Sequence, residues 1–435
     1  MPEQYDVVVV GARVAGASTA MLLARAGARV ALLDRDRYAS DTLSTHALLR
    51  AGVLQLSRWG LLPAVVAAGT PAVRRTVFHY ADGESVPVDI RPSRGVDALY
   101  APRRCVLDRL LVDAAAAAGV TVRHETTVTG LRRDGDRVAG VRAAGVDGRA
   151  WELRSRLVVG ADGIRSVVAA DVGAPTLRTG GARGGALYGY FAGVPVGGYE
   201  WSYGEGAAAA MVPTNDGLTM VSAGAAPARM RALRRAGMDA AFDALVAAGA
   251  PGELARIRDG RPVGALRGWG GIRSYVRRSF GPGWALVGDA GYFKDPITAH
   301  GMTDALRDAE LLAGAVARVL SGAEPEDLAL RRYQERRDAV SARLFEAGDR
   351  LAGFAWSLAE VRPLLREVSA AMNDEVALLE NLPDHPGDDH PGDALARAAP
   401  AEPARRGGRS GPLAGAVRSR STPPRRRSPG APGHA

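Results

Sequence analysis

The first 34 residues have the pattern of a β-strand, a glycine-rich turn, a helix and a second β-strand. The apolar run from Tyr5 to Val10 predicts a buried parallel strand that ends at Gly11. A helix is predicted over residues 17–26, and a second apolar strand over residues 29–34 ends in an acid. Two strands joined through one helix lie parallel in one sheet, so the opening predicts an α/β fold of the Rossmann type.

The turn between the first strand and the helix reads GARVAG, from Gly11 to Gly16. Gly11 lets the chain turn sharply, and Gly16 lets the helix pack against the sheet. The helix N-terminus then offers free N–H groups and its positive dipole end to a pyrophosphate. Asp34 ends the second strand, where a ribose hydroxyl needs an acceptor. The pattern predicts dinucleotide binding, and the alternative is a turn with chance glycines.

One position departs from the usual G-x-G-x-x-G pattern, because Arg13 stands where the second glycine is expected. That glycine normally permits close approach of the backbone to phosphate. Two interpretations stay open: the side chain of Arg13 points away from the turn, or it contacts the phosphate itself.

Two later segments again place an acid at the end of an apolar strand. The segment LVVGADGIRS (157–166) contains Asp162 and Gly163, for which an ordinary β-turn is the alternative interpretation. The segment WALVGDA (284–290) contains Asp289 and is followed by Pro296 and by Gly301. Gly301 opens a long predicted helix, whose N-terminal amides can meet an anionic or electron-rich ring edge.

The order and spacing of these three motifs resemble those of the class A flavoprotein monooxygenases, the para-hydroxybenzoate hydroxylase-like group. The chain is also similar to geranylgeranyl reductases and flavin-dependent halogenases, and the resemblance covers about residues 5–320. It implies FAD bound non-covalently, with NADH or NADPH as the electron donor. The RCVL segment that begins at Arg104 resembles the Arg-x-x-Leu helix start whose arginine faces FAD in that family. The implied cofactor-binding residues are Gly11, Arg13, Ala15, Gly16, Asp34, Arg35, Arg104, Asp162, Gly163, Gly288, Asp289, Pro296, Gly301, Met302 and Thr303.

Two residues are candidates for catalysis. His46 follows the second strand, in a region that lies near the cofactor in the related hydroxylases; the alternative is a helix N-terminus capped by Ser44 or Thr45. Asp295 lies beside the expected flavin edge, where it would act as a base or orient the substrate. The preferred alternative for Asp295 is a solvated loop pair with Lys294.

Five aromatic residues alternate along the region from Gly185 to Ala226, which is predicted to form an antiparallel sheet. They either line a substrate pocket or form the core of that sheet, and the core is the favoured interpretation. They are Tyr188, Tyr190, Tyr199, Trp201 and Tyr203.

The predicted domain organisation is discontinuous. The FAD-binding domain is assigned to residues 5–74, 98–175 and 278–325, and the substrate domain to residues 75–97 and 176–277. A C-terminal helical region follows at residues 326–382. Residues 383–435 have almost no large apolar side chains and are predicted to be a disordered basic tail.

Composition excludes several classes of function. The net charge is +9, but nine arginines and one acid fall within residues 397–435, so residues 1–396 carry about +1. No basic stripe with stacking aromatics points to nucleic acid. No segment has the ~20 apolar residues of a membrane span. The single cysteine, Cys105, and an N-terminus without the basic region of a signal peptide predict a cytoplasmic protein.

The sequence therefore predicts an FAD-dependent monooxygenase that uses NAD(P)H and O2 to hydroxylate or epoxidise a small organic substrate, aromatic or polycyclic in type. The main alternative is an FAD-dependent reductase or dehydrogenase of the geranylgeranyl reductase type. A non-catalytic FAD-binding partner protein is the alternative from another class. A halogenase is disfavoured because the Trp-x-Trp-x-Ile-Pro signature of the tryptophan halogenases is missing.

Overall fold

Eighteen strands and eleven α-helices form between residues 3 and 382, the part of the chain that the computed structural model describes. The strands are β1 (Gln4–Val10), β2 (Val30–Leu33), β3 (Arg75–Tyr80), β4 (Ser85–Asp89), β5 (Thr121–Arg123), β6 (Thr126–Asp134), β7 (Arg137–Gly145), β8 (Ala150–Gly160), β9 (Thr176–Thr179), β10 (Gly185–Ala192), β11 (Tyr199–Gly204), β12 (Ala207–Pro213), β13 (Leu218–Ala225), β14 (Arg261–Trp269), β15 (Tyr275–Arg277), β16 (Phe280–Gly281), β17 (Trp284–Leu286) and β18 (Tyr292–Phe293). The helices are α1 (Val14–Arg25), α2 (Arg50–Arg58), α3 (Leu62–Ala67), α4 (Arg104–Ala117), α5 (Val167–Asp171), α6 (Pro227–Leu233), α7 (Met238–Gly249), α8 (Leu254–Arg258), α9 (Gly301–Leu320), α10 (Glu326–Ala352) and α11 (Leu358–Glu380). The predicted tail, residues 383–435, lies outside the described residues.

The first sheet has a parallel core. β1 lies between β2 and β8 and runs parallel to both, while β5 and β17 extend the sheet on the two sides. Successive side chains of a strand point to opposite faces, and the valines of β1 divide accordingly. Val7 and Val9 pack with α1, α4 and α9, whereas Val8 and Val10 pack beneath the antiparallel β6–β7 hairpin. The prediction of an α/β fold on a Rossmann-type parallel sheet is confirmed.

The second sheet has seven strands in the order β14-β10-β13-β12-β11-β3-β4. All neighbours are antiparallel except β3 and β11. On one face, Leu187 and Met211 pack against Leu245 of α7. On the opposite face, Tyr188 and Tyr190 pack with residues that precede α4 and α9. That second face therefore meets the loops at the carboxyl edge of the first sheet.

A small third sheet, β18-β15-β9, contains strands from both sides of a predicted domain boundary. β9 and β15 fall within the predicted substrate domain, and β18 falls within the predicted FAD-binding domain. The domain boundaries stay a prediction.

Three regions that have helical periodicity throughout, residues 48–67, 228–248 and 328–371, are each interrupted. Residues 48–67 form α2 and α3, which are separated at Gly60, where φ is +73°. Residues 228–248 are divided at Gly237, where φ is +97°. The region 328–371 is divided between α10 and α11, because Ser357 and Glu360 form a capping box that begins a new helix. None of the helices within residues 3–382 is both long and apolar enough to cross a membrane.

Candidate active site

The glycine-rich turn leads directly into α1. Gly11 has φ of +102°, and a Cβ there would lie 2.5 Å from the carbonyl oxygen of Ala161. A Cβ at Gly16 would lie 1.8 Å from the carbonyl oxygen of Gly11, so neither position accepts a side chain. α1 has no side-chain cap. Its first-turn N–H groups have no intrahelical partner and are available to an anion at the edge of the sheet.

Asp34 lies against this turn. Its Oδ2 atom accepts a hydrogen bond from the backbone N–H of Ala12 at 2.5 Å, and its Oδ1 atom accepts one from Asp36 at 2.7 Å. Each carboxylate oxygen has a second lone pair, so Asp34 retains capacity for a ribose hydroxyl. The adjacent Arg35 has a side chain that is 69% exposed, and within residues 3–382 its only ion pair is with Asp36 at 4.0 Å.

Arg13 points away from the turn, which answers the question that the sequence left open. Its backbone is extended, with φ of −86°, so the position does not require glycine. The guanidinium bonds Asp108 of α4 at 2.9 Å and the carbonyl oxygen of Ser40 at 2.6 Å. Arg104 bonds the same Asp108 carboxylate at 3.0 Å. Asp108 therefore joins the glycine-rich turn to the start of α4.

Asp289 follows β17 and is half-buried. Within residues 3–382, its carboxylate has neither a hydrogen bond nor an ion pair. Burial raises its pKa to about 6, although Arg104 and Lys294 act in the opposite direction. Gly288 has φ of +58°, and a Cβ there would lie 2.9 Å from the Cβ of Ala15. The end of β17 thus approaches the start of α1 and leaves a carboxylate available to a ligand.

Asp162 has a structural role in this conformation. Its Oδ1 atom accepts a hydrogen bond from the Ser166 hydroxyl at 2.5 Å, and its Oδ2 atom accepts one from the Val167 N–H at 2.6 Å. Both bonds hold the start of α5. Gly163 has φ of +76° and forms the turn. The β-turn interpretation accounts for these contacts, and a cofactor role for the pair stays a prediction.

The start of α9 has no side-chain cap. Apart from its chain neighbours and the backbone of α9 itself, no heavy atom of residues 3–382 lies within 4 Å of the position that a Cβ at Gly301 would take. The Met302 sulfur lies 3.8 Å from Ser44 Oγ, in the loop after β2. The Thr303 hydroxyl lies 3.4 Å from the Leu49 N–H and faces α2. The helix therefore offers free N–H groups and open space beside its first residue.

Asp295 corrects the preferred interpretation from the sequence, because it is not a solvated partner of Lys294. Asp295 is 2% exposed. Its carboxylate accepts hydrogen bonds from the N–H groups of Gly184 at 2.7 Å and Ile297 at 3.1 Å. The second bond caps the short helical turn that begins at Pro296. Burial raises the pKa of Asp295 to about 6. These contacts are structural, and a catalytic role for Asp295 stays a prediction.

His46 lies at the junction between the loop after β2 and the second sheet. It is completely buried, and its φ of +63° lies in the left-handed region. Its Nε2 atom is 2.5 Å from the hydroxyl of Tyr190. Nδ1 has no partner among residues 3–382. Burial, with the nearby charge of Arg104, lowers the pKa of His46 to about 3, so the ring is neutral. The Ser44 hydroxyl accepts the N–H of His46, and neither Ser44 nor Thr45 caps α2.

Two arginines lie beside the hydrogen-bonded side chains of His46 and Tyr190. Asp41 Oδ2 accepts hydrogen bonds from Arg267 of β14 at 3.2 Å and from Arg103 at 3.5 Å. The Arg103 guanidinium also lies 4.8 Å from the ring centre of Tyr190. Two of the three buried tyrosines of this face, Tyr188 and Tyr190, are thus core residues that also carry polar contacts. The alternation identified the shared face, but nothing in the sequence identified the arginines.

A buried charge network lies behind the start of α9. Arg307 bonds Asp308 at 2.6 Å, Asp304 at 2.9 Å and Glu375 of α11 at 2.8 Å. Lys294 pairs with Asp304, and His300 pairs with Glu375. Burial opposes the charge of Glu375, but His300 and Arg307 lower its pKa. The members are Lys294, His300, Asp304, Arg307, Asp308 and Glu375. They tie the C-terminal helix to the segment that precedes α9.

Comparison with known proteins gives the chain a family. A family model described as an FAD binding domain matches residues 4–347. Digeranylgeranylglycerophospholipid reductase 2 of Methanopyrus kandleri is 28% identical over 79% of this chain and 84% of its own length. The digeranylgeranylglycerophospholipid reductase of Methanosarcina mazei is also 28% identical, over 73% of this chain and 76% of the relative.

Solved structures share the fold. The myxobacterial chondrochloren halogenase CndH superposes with a TM-score of 0.71 and 24% identity, covering 88% of this chain and 91% of that one. PqsL of Pseudomonas aeruginosa, described as a probable FAD-dependent monooxygenase, superposes with a TM-score of 0.67 and 23% identity, covering 85% and 100%. At these identities the likeness shows the fold alone.

Proposed function

The chain belongs to the FAD-binding-domain family and is an FAD-dependent oxidoreductase, and from that premise we propose that it is a monooxygenase. The observation that carries the proposal is the neutral His46–Tyr190 pair, which the fold holds beside the start of α9. NADH or NADPH would supply the electrons, and O2 would supply the oxygen atom. The substrate would be a small aromatic or polycyclic compound bound against the tyrosine face of the second sheet.

We call the region between the α1 turn, Asp289 and the start of α9 the cofactor groove. Three features of this groove, at the carboxyl edge of the first sheet, suit FAD. The uncapped start of α1 suits a pyrophosphate. The carboxylate of Asp289 has no partner within residues 3–382, which suits a hydroxyl-rich ribityl chain. The open space beside Gly301 suits the isoalloxazine ring. Asp34 would hold the adenosine ribose, and Arg104 would lie along the cofactor.

The side chains at the far end of the groove would bind and orient the substrate. Burial raises the pKa of Tyr190, so its hydroxyl stays protonated and would donate to Nε2 of His46. In that tautomer the proton of the neutral ring is on Nδ1, which has no acceptor among the described residues. Nδ1–H would donate to an oxygen of the substrate. Arg103 and Arg267 would orient an electron-rich ring against Tyr188.

When bound, FAD supplies the chemistry: it takes electrons from the nicotinamide nucleotide and activates O2. The protein's part is to exclude water and to fix the substrate's distance and angle to the ring. The full burial of His46 and the tight packing around Tyr190 support that role.

The curated relatives favour a second candidate, an FAD-dependent reductase that adds hydrogen to a carbon–carbon double bond. An isoprenoid chain needs a long apolar channel. The groups at this junction include Asp41, Arg103, Arg267 and His46, which are polar or charged. The polar junction therefore supports the monooxygenase over the reductase.

Isotopically labelled O2 separates the two candidates. Holoenzyme, NADH or NADPH and a panel of small phenols and polycyclic aromatic compounds are incubated under labelled O2, and products are identified by mass spectrometry. The monooxygenase gives a product that contains one labelled oxygen, and Tyr190→Phe lowers its yield without changing FAD content. Products that gain two hydrogens and no label, from isoprenoid substrates supplied in parallel, contradict the proposal.

A further inference from the structure

An open cavity of about 420 Å³ lies outside the cofactor groove. It is lined by two arginines, Arg183 and Arg273, and otherwise by the small residues Gly181, Ala182, Ala226, Pro227 and Gly353. We call it the Arg183–Arg273 basin. Neither arginine has an ion pair or a hydrogen bond with any residue between 3 and 382. Most arginines around the cofactor groove, by contrast, are paired with carboxylates, as Arg13 and Arg104 are.

The acids nearest the basin are turned towards the backbone. Asp349 accepts hydrogen bonds from the N–H groups of Gly181 at 2.9 Å and Ala182 at 3.1 Å. Asp295 accepts the N–H of Gly184 at 2.7 Å. These bonds fix the 180–184 loop and direct both carboxylates towards backbone N–H groups. Among the residues that line the basin, the two arginines are the charged ones, and both guanidinium groups are available to a ligand.

The two loops that carry the arginines are joined to the segment before α9. Ser274, the residue after Arg273, accepts the N–H of Gly180 at its carbonyl oxygen and the N–H of Asp295 at its hydroxyl, at 2.8 Å and 3.0 Å. A Cβ at Gly271 would lie 2.3 Å from the carbonyl oxygen of Gly184, so the loops are in direct contact. The basin is thus held next to the Asp295–Pro296 turn without using the phosphate site at α1.

We propose that the Arg183–Arg273 basin binds the phosphate groups of an anionic ligand, and that this ligand is the nicotinamide dinucleotide that reduces the flavin. Guanidinium groups bind phosphate oxygens through paired N–H donors, and the cavity is wide enough for a diphosphate. The choice of ligand rests on the proposed function. The same chemistry would bind the diphosphate of a phosphorylated organic substrate.

The test uses FAD-loaded full-length enzyme and four variants: Arg183→Gln, Arg273→Gln, the double variant, and Arg149→Gln as the control. Arg149 is an exposed arginine in the turn between β7 and β8. Anaerobic stopped-flow reduction gives the NADH or NADPH concentration at half-saturation, and calorimetry gives the Kd of inorganic pyrophosphate. Each single variant should raise both values about fivefold, the double variant about 25-fold, and the control should leave them unchanged.

A third titration, with geranyl diphosphate, distinguishes the two sources of the phosphate. Weakened nucleotide binding with unchanged geranyl diphosphate binding supports the nucleotide; the reverse result overturns the nucleotide and assigns the basin to a phosphorylated substrate. Pyrophosphate binding that is the same in all variants overturns the basin itself. If neither nucleotide reduces the wild-type flavin but dithionite does, the proposed electron donor fails, and pyrophosphate binding that depends on the arginines still supports the basin.

Discussion

At the scale of single residues, four acids in similar sequence contexts have different surroundings. Asp162 and Asp295 use their carboxylates to hold backbone N–H groups, and Asp34 accepts two such bonds at the glycine-rich turn. Only Asp289, of these four, lacks a protein partner within residues 3–382. Burial of a carboxylate without a partner is costly, and its pKa is accordingly raised. A ligand that supplies donors to Asp289 removes this cost.

We predict that Asp289→Ala weakens FAD binding by about tenfold to a hundredfold, because a hydrogen bond to a charged group contributes roughly 1.5–3 kcal/mol. Titration of the apo-protein with FAD, followed by flavin fluorescence, measures the change. Asp289→Asn keeps an acceptor oxygen and should lose less. Asp295→Ala should spare FAD affinity and lower the melting temperature, because Asp295 holds Gly184 and Ile297. Greater loss of FAD from Asp295→Ala than from Asp289→Ala would contradict this assignment.

His46 predicts a pH dependence of stability. Its pKa falls from 6.5 to about 3 on folding, so the unfolded chain binds an additional proton between these values. The contribution of His46 to the free energy of unfolding therefore rises as the pH increases through that range and is lost on acidification, whereas Asp289 and Asp295, with raised pKa values, contribute in the opposite direction. His46→Asn, whose side chain tolerates positive φ, should remove the His46 contribution and so change the slope of the curve between pH 4 and 6.5. Urea titrations at several pH values measure it, with His124→Gln as the control for loss of an imidazole. Parallel curves for wild type and His46→Asn would show that the ring is not held neutral.

At the scale of elements, the helices at the groove differ from the helix at the C-terminus. α1 and α9 begin without side-chain caps, and they have 12 and 20 residues. α11, away from the groove, begins with a complete capping box. Capping residues satisfy the first N–H groups of a helix, so uncapped starts leave donors for a ligand. The sequence predicts α1 and α9 from the glycines at Gly11 and Gly301, but it does not predict the break before α11, although Ser357 and Glu360 have the spacing of a capping box.

Alanine substitutions at two glycines distinguish a glycine that the packing of the fold requires from one that leaves space for the cofactor. We predict that Gly16→Ala abolishes stable folding of the opening, because its Cβ would overlap the carbonyl oxygen of Gly11. The Cβ of Gly301→Ala meets no heavy atom of the described residues beyond its own helix and chain neighbours, so the variant should leave the melting temperature of the apo-protein unchanged, yet weaken FAD binding at least fivefold. Gly252→Ala, which is equally open, is the control. Thermal melts and FAD titrations decide the matter. Unchanged FAD affinity in Gly301→Ala would place the ring elsewhere.

Through the buried charge network, Glu375 of α11 stabilises the segment before α9 and the first turns of that helix. Glu375→Gln removes one anion and leaves the charge of Arg307 under-compensated, which is expected to cost about 3–5 kcal/mol. Glu367, on the same helix but half exposed, pairs among the described residues only with Arg350, so Glu367→Gln should cost under about 1 kcal/mol. Chemical denaturation of both variants measures the difference. Equal losses would show that the network contributes no more than a surface ion pair.

At the scale of the whole molecule, the sequence predicts what depends on local periodicity and turn chemistry. It predicts the parallel core, the antiparallel second sheet and the glycine-rich turn, because each of these depends on the order of apolar, polar and glycine residues within one short segment. It does not predict the contacts that join distant segments, such as Arg13 with Asp108, 95 residues apart, or His46 with Tyr190, 144 residues apart. Such contacts depend on how the two sheets pack together and on the conformation of the loops between them, and neither can be read from a short segment of sequence.

The visible spectrum of the purified full-length protein, with identification of the flavin that acid releases, tests FAD binding most directly. The groove predicts a yellow protein from which acid releases about one equivalent of FAD per chain without covalent attachment, and whose colour bleaches under anaerobic NADH or NADPH. A colourless protein that does not take up added FAD would contradict the assignment of the α1 turn, Asp34, Asp289 and the start of α9 to one cofactor.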